Sequence, residues 1–192
     1  MSLINIIDPA IEPVTVDEVK LSARMDADNT ALDSQITLII KALRRMAESR
    51  LQRRLITQTV ELVLDDFPDA EIDLLLPDVQ SIVSVTYIDI TGTQQALPNT
   101  AYSLDPSFVP CYLFPAHGTE WPATYDSANA MRVRYTVGYG PAATDVPEDI
   151  RLWIIAHAVQ AARNPDGFSL ANLQPLAFVD QLLDDQRIMR VV

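Results

Sequence analysis

The densest group of side chains that could bind a metal ion is a run of carboxylates between residues 65 and 73. It consists of Asp65, Asp66, Asp69, Glu71 and Asp73. Carboxylate oxygens suit Ca²⁺, but this run has neither the ligand spacing of a calcium loop nor its central glycine. Charges of this kind more often keep the edge of a strand from pairing with other chains. We therefore predict a solvated strand edge here and no metal site.

The other nucleophiles and bases stand alone in the sequence. The single cysteine, Cys111, cannot complete a zinc site and has no histidine nearby, and His117 and His157 are isolated from each other. His157 shares a helical stretch with Trp153, which favours a core or interface position over a catalytic one. The segment 138–141 lacks the Lys-Ser/Thr pair of a phosphate loop and is typical of a turn. We predict no catalytic residue, no metal and no cofactor, and hence no enzyme.

Composition indicates either one ample domain or a core with a large insertion, and no membrane-spanning segment. The chain has 192 residues, 48% of them hydrophobic, and no apolar run approaches the ~20 residues that span a bilayer. Its first residues carry neither the basic nor the apolar part of a signal peptide. A lone cysteine is typical of a reducing compartment. We expect a soluble protein that is intracellular when it is made.

The net charge of −12 is concentrated in the middle of the chain. Residues 1–57 hold eight acidic and eight basic side chains, and residues 131–192 hold seven and six. Residues 58–130, the acidic block, hold eleven acidic side chains and no lysine or arginine. Such a block disfavours binding to phosphate backbones. It suits a basic protein partner, a surface that must not adhere to DNA, or a well-solvated β surface.

A long amphipathic helix is predicted from Asn29 to about Arg54. Its apolar side chains recur at three- and four-residue steps: Leu32, Ile36, Ile39, Ile40, Leu43 and Ala47. Opposite this stripe the helical wheel places Lys41, Arg45 and Glu48, as solvated residues. Arg50 and Arg54 fall on the stripe, where an unpaired guanidinium would be costly to bury. Either the helix ends early or forms local salt bridges, or its last turns meet a partner.

The remaining elements predict an α+β fold. Thr15 and Glu18 have the spacing of a capping box at the start of a short helix, after an extended arm over residues 1–13. Strand patterns follow at 55–67, at 81–90 with Val83, Val85 and Tyr87 on one face, and at 131–137. Helices are predicted from about residue 147 and over 176–187. The chain thus reads as a helical core (1–57 and 146–192) with an inserted antiparallel β block (58–145).

Several segments together resemble the head–tail connector (adaptor) proteins of tailed bacteriophages and prophages. They are Pro13 to Lys20, Arg54 to Thr59, Asp65 to Pro68, Val133 to Gly140 and Val146 to Ile150, in the family's order. Trp121-Pro122 also fits. Two positions depart from the family: Leu51-Gln52 replaces a common Thr-Gly at the end of the long helix, and Val60 replaces a tryptophan. A third departure is Gln186 before Arg187, where a Tyr-Arg pair is common.

The resemblance implies a structural role in the virion neck, reached from the host bacterial cytoplasm during assembly. Family members form a ring, usually of twelve copies, beneath the portal protein, extend the DNA channel and dock the next stopper or tail protein. DNA would pass through without specific binding. The channel wall would be lined by acidic residues of the block or by Asp180, Asp184 and Asp185. A different non-enzymatic virion module, such as a minor tail or capsid-associated protein, is the alternative. Candidate interface residues are Arg45, Arg50, Arg53, Arg54, Arg187 and Arg190.

Overall fold

A computed structural model describes residues 1–163 and 177–184. In chain order its elements are β1 (Ser2–Ile7), α1 (Val16–Ala23), α2 (Asp33–Leu51), β2 (Gln58–Leu64), β3 (Ile72–Asp73), β4 (Val79–Ile88), β5 (Gln94–Leu97), β6 (Tyr102–Asp105), β7 (Tyr112–Pro115), β8 (Met131–Val137), α3 (Glu148–Arg163) and α4 (Ala177–Asp184). Helices and antiparallel strands occupy separate stretches, which confirms the predicted α+β class.

The chain forms two compact units. The β unit comprises Met1–Pro9 and Thr57–Tyr139, and the helical unit comprises Ala10–Ile56 and Gly140–Val192. The predicted division had placed residues 1–9 with the helices. They belong to the β unit because β1 pairs antiparallel with β2, with Leu3 opposite Leu62. The arm is extended, as predicted, but its backbone groups bond to a strand more than fifty residues later in the chain.

Two antiparallel sheets build the β unit around one hydrophobic core. The larger has the strand order β1-β2-β8-β4-β5, and the smaller has the order β3-β7-β6. At the centre of the larger sheet, Val133 lies between Leu62 and Val85, and all three side chains are fully buried. The buried Tyr135 donates its hydroxyl hydrogen bond to the carbonyl of Leu74. The strict alternation predicted for β8 is confirmed, because inward and outward side chains alternate along it.

Strand β4 departs from its predicted pattern at one residue. Val83 was expected on the same face as Val85, yet Val83 is 53% exposed whereas Val85 is buried. The pairing of β4 with β8 shifts between Ile82 and Ser84, so Val83 is the extra residue of a β-bulge. A bulge interrupts the period of two, and the residues before and after it no longer share a face. The strand predicted over 55–67 is likewise shorter, at Gln58–Leu64.

In the helical unit, the predicted start of α1 is confirmed in detail. The Glu18 carboxylate accepts a hydrogen bond from the backbone N–H of Thr15 at 2.7 Å, and the Thr15 hydroxyl accepts one from the N–H of Glu18 at 3.2 Å. This reciprocal capping box satisfies two N–H groups that have no partner inside the helix. Burial of Val19 and Ala23 then fixes the inner side of the helix.

Helix α2 is shorter than predicted at both ends. It begins at Asp33 and ends at Leu51, with Ile36, Ile40, Leu43 and Ala47 buried as the apolar stripe predicted. Leu32, the first residue of that predicted stripe, precedes the helix and is 36% exposed. The missing glycine does not prevent a sharp stop. Instead Gln52 adopts a left-handed conformation (φ 55°), and its N–H bonds to the carbonyl of Glu48. The left-handed conformation costs more free energy for glutamine than for glycine, so Gln52 is a less favourable helix cap than the glycine common in the family.

Helices α3 and α4 complete the helical unit. The predicted inner stripe of α3 is confirmed, since Ile150, Trp153, Ile154 and Ala158 are fully buried. Helix α3 packs against α1, α2 and α4. Within the predicted helix 176–187, the structure describes α4 over Ala177–Asp184, with Leu183 buried. Residues 185–187 lie outside the described part of the chain.

Candidate assembly interface

The residues considered for catalysis occupy positions that do not favour it. Cys111 is buried, and burial is the main influence that raises the pKa of its thiol, so the reactive thiolate is disfavoured. His157 is also buried; its Nδ1 lies 2.9 Å from the Trp153 carbonyl, in keeping with the core position predicted for it. Over residues 1–163 and 177–184, no three His, Cys, Asp or Glu side chains are placed to hold a metal ion. None of the described helices is both long and apolar enough to cross a membrane.

The basic end of α2 supplies the candidate interface arginines, and they differ in their surroundings. Arg45 is exposed on the side of α2 away from the apolar stripe, as predicted. Arg53 and Arg54 are half-buried just beyond the helix. The Nε atom of Arg54 is buried and has no hydrogen-bond partner among the described residues. The other two candidates, Arg187 and Arg190, lie outside the described residues.

Arg50 lies in a polar cluster that joins three helices. Its guanidinium carbon lies 5.4 Å from the centre of the Trp153 ring, and its Nη1 lies 3.5 Å from the Asp180 carboxylate. The same carboxylate accepts a 2.9 Å hydrogen bond from Trp153 Nε1 and lies 3.5 Å from His157 Nε2. The prediction left open whether Arg50 serves the fold or a partner. It forms a local salt bridge, and its side chain is 52% exposed.

A second cluster was not predicted, and it is more deeply buried. Arg44 is 3% exposed; its Nε lies 2.7 Å from the Glu12 carboxylate and its Nη1 lies 3.1 Å from that of Glu48. The other carboxylate oxygen of Glu48 accepts the backbone N–H of Leu55 at 3.1 Å. The prediction that Glu48 is solvated was therefore wrong: Glu48 is 4% exposed. Its charge is tolerated inside because it binds a guanidinium and a backbone donor.

The sequence did contain a signal for this cluster. Arg44 is four residues after Ile40 and three before Ala47, so it borders the apolar stripe, and Glu48 follows it at the i,i+4 spacing of a helical ion pair. The cluster anchors the end of α2 to the segment leading towards β2, since Glu48 reaches forward to Leu55. Arg53 and Arg54 lie between these two bonded residues.

The acidic block lies on the β unit, and most of its charge is free of basic partners on that unit. Arg132 and Arg134 are the only lysine or arginine residues of the β unit, and both bind Glu61 at 2.7–3.1 Å. Burial is the largest influence on Glu61 and raises its pKa, but the hydrogen bonds and charges of Arg134 and Arg132 together lower that pKa below its usual value. Both arginines therefore form ion pairs within their own sheet.

Of the other ten acidic side chains of the block, six are exposed and four are half-buried. Asp65, Asp66, Asp69 and Glu71 are all exposed between β2 and β3, as predicted for a solvated strand edge. Asp73, the last carboxylate of the run, is instead half-buried in β3 and accepts the N–H of Leu75 at 2.7 Å. At the β4–β5 turn, Asp89 is saturated by donors: hydrogen bonds from Thr91, Gln95 and Thr93 lower its pKa to about 2. The exposed carboxylates give the β unit a negative surface.

Comparison with known proteins relates this fold to particle necks. No family model matches the chain, and no curated protein does. A chain in the neck of an empty gene transfer agent (GTA) particle, computed with C6 symmetry, has a TM-score of 0.81 at 20% identity, covering 100% of this chain and 98% of that one. A chain of the native GTA virion gives 0.80 at 19% identity, covering 100% and 98%. In the neck of the native particle, computed with C12 symmetry, a chain gives 0.71 at 18% identity and covers 97% of each. Both units of this chain thus have counterparts in a fold found in GTA particles.

Proposed function

We propose that this chain is a structural subunit in the neck of a phage-like particle. More finely, it is a head–tail connector: about twelve copies form a ring below the portal, extend the DNA channel and dock the next stopper or tail protein. The observation that carries the proposal is the fold similarity along the whole chain, at TM-scores of 0.81 and 0.71, to chains in necks computed with C6 and C12 symmetry. Cyclic symmetry of this kind suits a subunit that binds its neighbours head to tail.

The charge distribution supports the passage of DNA through such a ring. DNA binding by proteins depends largely on lysine and arginine at the phosphates. The β unit has only two arginines, and Glu61 binds both. A channel wall formed by this unit would repel DNA weakly and let it slide at injection. A wall rich in free lysine or arginine would hold the DNA in place.

The arginines at the end of α2 supply the opposite charge for contact with a neighbouring copy. We place Arg45, Arg53 and Arg54 against the acidic block of the next subunit. Arg50 is less suited to a test, because a glutamate there would lie beside Asp180. We therefore choose the double variant Arg45→Glu with Arg54→Glu, which should keep the fold and lose ring assembly. The control is Arg24→Glu, a single charge reversal at an exposed arginine of the helical unit.

The experiment that tests the proposed function is binding to capsids. Purified protein is mixed with DNA-filled capsids that have a portal but no neck, and with portal-less capsids as the control. Co-sedimentation with the portal-bearing capsids alone is the expected result. The second candidate is another virion module, which the match to a chain described only as part of the native virion favours. Binding to tail tubes, and not to portal-bearing capsids, would establish that candidate and contradict the connector.

A further inference from the structure

Strand β1 is an edge strand with no charged residue and no proline. One side of β1 bonds to β2, and no strand of the described residues pairs with its other side. Natural sheets protect such edges with lysine, proline or inward charges, because free N–H and C=O groups recruit other strands. From Ser2 to Ile7 the strand has none of these. Among residues 1–163 and 177–184 nothing pairs with this edge, on a β unit that is otherwise strongly acidic.

The side chains of β1 are also unusually apolar for their exposure. Ile4, Ile6 and Ile7 are 44%, 39% and 59% exposed. The pairing of β1 with β2 shifts between Asn5 and Ile7, so a bulge at Ile6 ends the regular part of the strand. Four residues, Ser2 to Asn5, therefore present a regular, uncharged edge. An apolar strand with an open edge is the surface to which another strand adds by β-augmentation.

The opposite edge of the same sheet has matching properties. It is formed by β5, Gln94–Leu97, which is also four residues long and uncharged, with three of its residues exposed. Four successive antiparallel pairings separate β1 from β5, so the two strands run in the same direction. A copy placed beside another in the same orientation would bring β1 of one against β5 of the next, in parallel.

The faces of the two strands also agree. Ile4 lies opposite Glu61, and Ala96 lies opposite Thr86, which in turn lies opposite Arg132. Because Glu61 and Arg132 bond through their side chains, Ile4 and Ala96 are on the same, outer face of the sheet. Aligning Ser2–Asn5 with Gln94–Leu97 residue by residue puts Ile4 beside Ala96. A slip by one residue would place an outer side chain against an inner one, so this register is favoured over slips of one residue.

We propose that β1 of one subunit pairs in parallel with β5 of the next, so that the sheets of neighbouring copies join around the ring. This inference rests on the proposed function, since it describes how the ring closes. Elsewhere two β units repel each other through their exposed carboxylates, whereas these two edges carry no charge. The repeated contact is heterologous, and such a contact forms a closed ring when the rotation between copies closes. Four residues per strand make a short contact, which assembly on a portal template would reinforce.

Cysteine cross-linking tests the pairing and its register. The double variant Ile4→Cys with Ala96→Cys is assembled on portal-bearing capsids and oxidised; adjacent strands bring Cα atoms within the about 7 Å that a disulfide needs. We expect a ladder of covalent multimers from assembled rings and none from free protein. Each single variant is a control and should give no dimer, and the buried Cys111 should stay unreacted. Dimers from Ile4→Cys alone would indicate β1–β1 pairing and overturn the proposal.

A charge on the edge supplies an independent readout. Ile4→Lys should lower ring assembly at least tenfold, because a lysine on a strand edge opposes pairing. Leu38→Lys is the matched control, since Leu38 is 67% exposed on α2. Circular dichroism melting confirms that both variants fold. If wild-type rings form and Ile4→Lys assembles equally well, the edge pairing is wrong and the connector function stands. If wild-type protein forms no ring on the portal, both are wrong.

Discussion

Replacing Arg44 by methionine should destabilise the helical unit strongly. Arg44 is 3% exposed and its guanidinium lies 2.7 Å and 3.1 Å from the carboxylates of Glu12 and Glu48. The variant removes the cation and leaves two acidic groups in that site, with Glu48 only 4% exposed. Breaking a buried ion pair by removing one partner costs about 3–5 kcal/mol. We expect the free energy of unfolding to fall by that amount.

A double-mutant cycle separates the ion pair from the rest of the site. Glu48→Gln removes the charge but keeps an oxygen that can accept the Leu55 N–H, now at 3.1 Å. That single change should cost about 2 kcal/mol, the scale of a charged hydrogen bond. The double variant Arg44→Met with Glu48→Gln should cost less than the two changes added together, with a coupling of about 1–3 kcal/mol. The coupling measures how much of the loss comes from the pair.

Tryptophan fluorescence makes this cycle specific to one unit. Trp121 lies in the β unit and Trp153 in the helical unit. In a Trp121→Phe variant, the fluorescence of Trp153 therefore reports the unfolding of the helical unit in urea. Arg45→Met is the control on the exposed side of α2 and should change stability by about 0.5 kcal/mol or less. A loss below about 1 kcal/mol for Arg44→Met would refute the reasoning, since it would mean that the site admits water. Additive effects in the cycle would refute it too.

Three further predictions concern single residues. Because the pKa of Glu61 is lowered in the fold, its stabilising effect is complete above the unfolded pKa, near 4.5, and is lost as the pH falls through the folded value. Stability of the β unit, measured by urea unfolding, should therefore drop at acid pH, and Glu61→Gln should flatten this dependence; an unchanged profile contradicts the ion pair. Gln52→Gly should raise the free energy of unfolding by about 0.5 kcal/mol, because glycine adopts the left-handed cap conformation without strain. A lower free energy of unfolding would show that the contacts of the Gln52 side chain outweigh this strain. Asp180→Ala should cost about 1–3 kcal/mol in thermal unfolding and alter the fluorescence of Trp153, whose N–H loses its acceptor; an unaltered spectrum would exclude that bond.

Local patterns in the sequence predicted local structure well. The Thr15–Glu18 capping box, the apolar stripe of α2 and the alternation of β8 depend on neighbours within a few residues, and all three are present. The start of α3 is of the same kind, with acidic residues in its first turn. Such features follow from backbone geometry and periodicity alone.

Features that depend on distant partners were not predicted. β1 was predicted only as part of an extended arm, because its partner, β2, follows more than fifty residues later. Glu48 was predicted to be solvated, but it pairs with Arg44 in a buried site that Glu12, 32 residues before Arg44, completes. Val83 was predicted on the same face as Val85, but a bulge in the pairing with β8 shifts the alternation at this residue. In each case a tertiary contact, which the local sequence pattern does not reveal, overrides the local periodicity.

The most direct test of the connector role is a cryo-EM reconstruction of portal-bearing capsids after incubation with this protein. The account predicts a ring of about twelve copies, coaxial with the portal and on its outer side, with an open channel along the axis. The sheets of adjacent copies should be continuous from β1 to β5. Density for this protein away from the portal axis, or on tail tubes alone, would contradict the account.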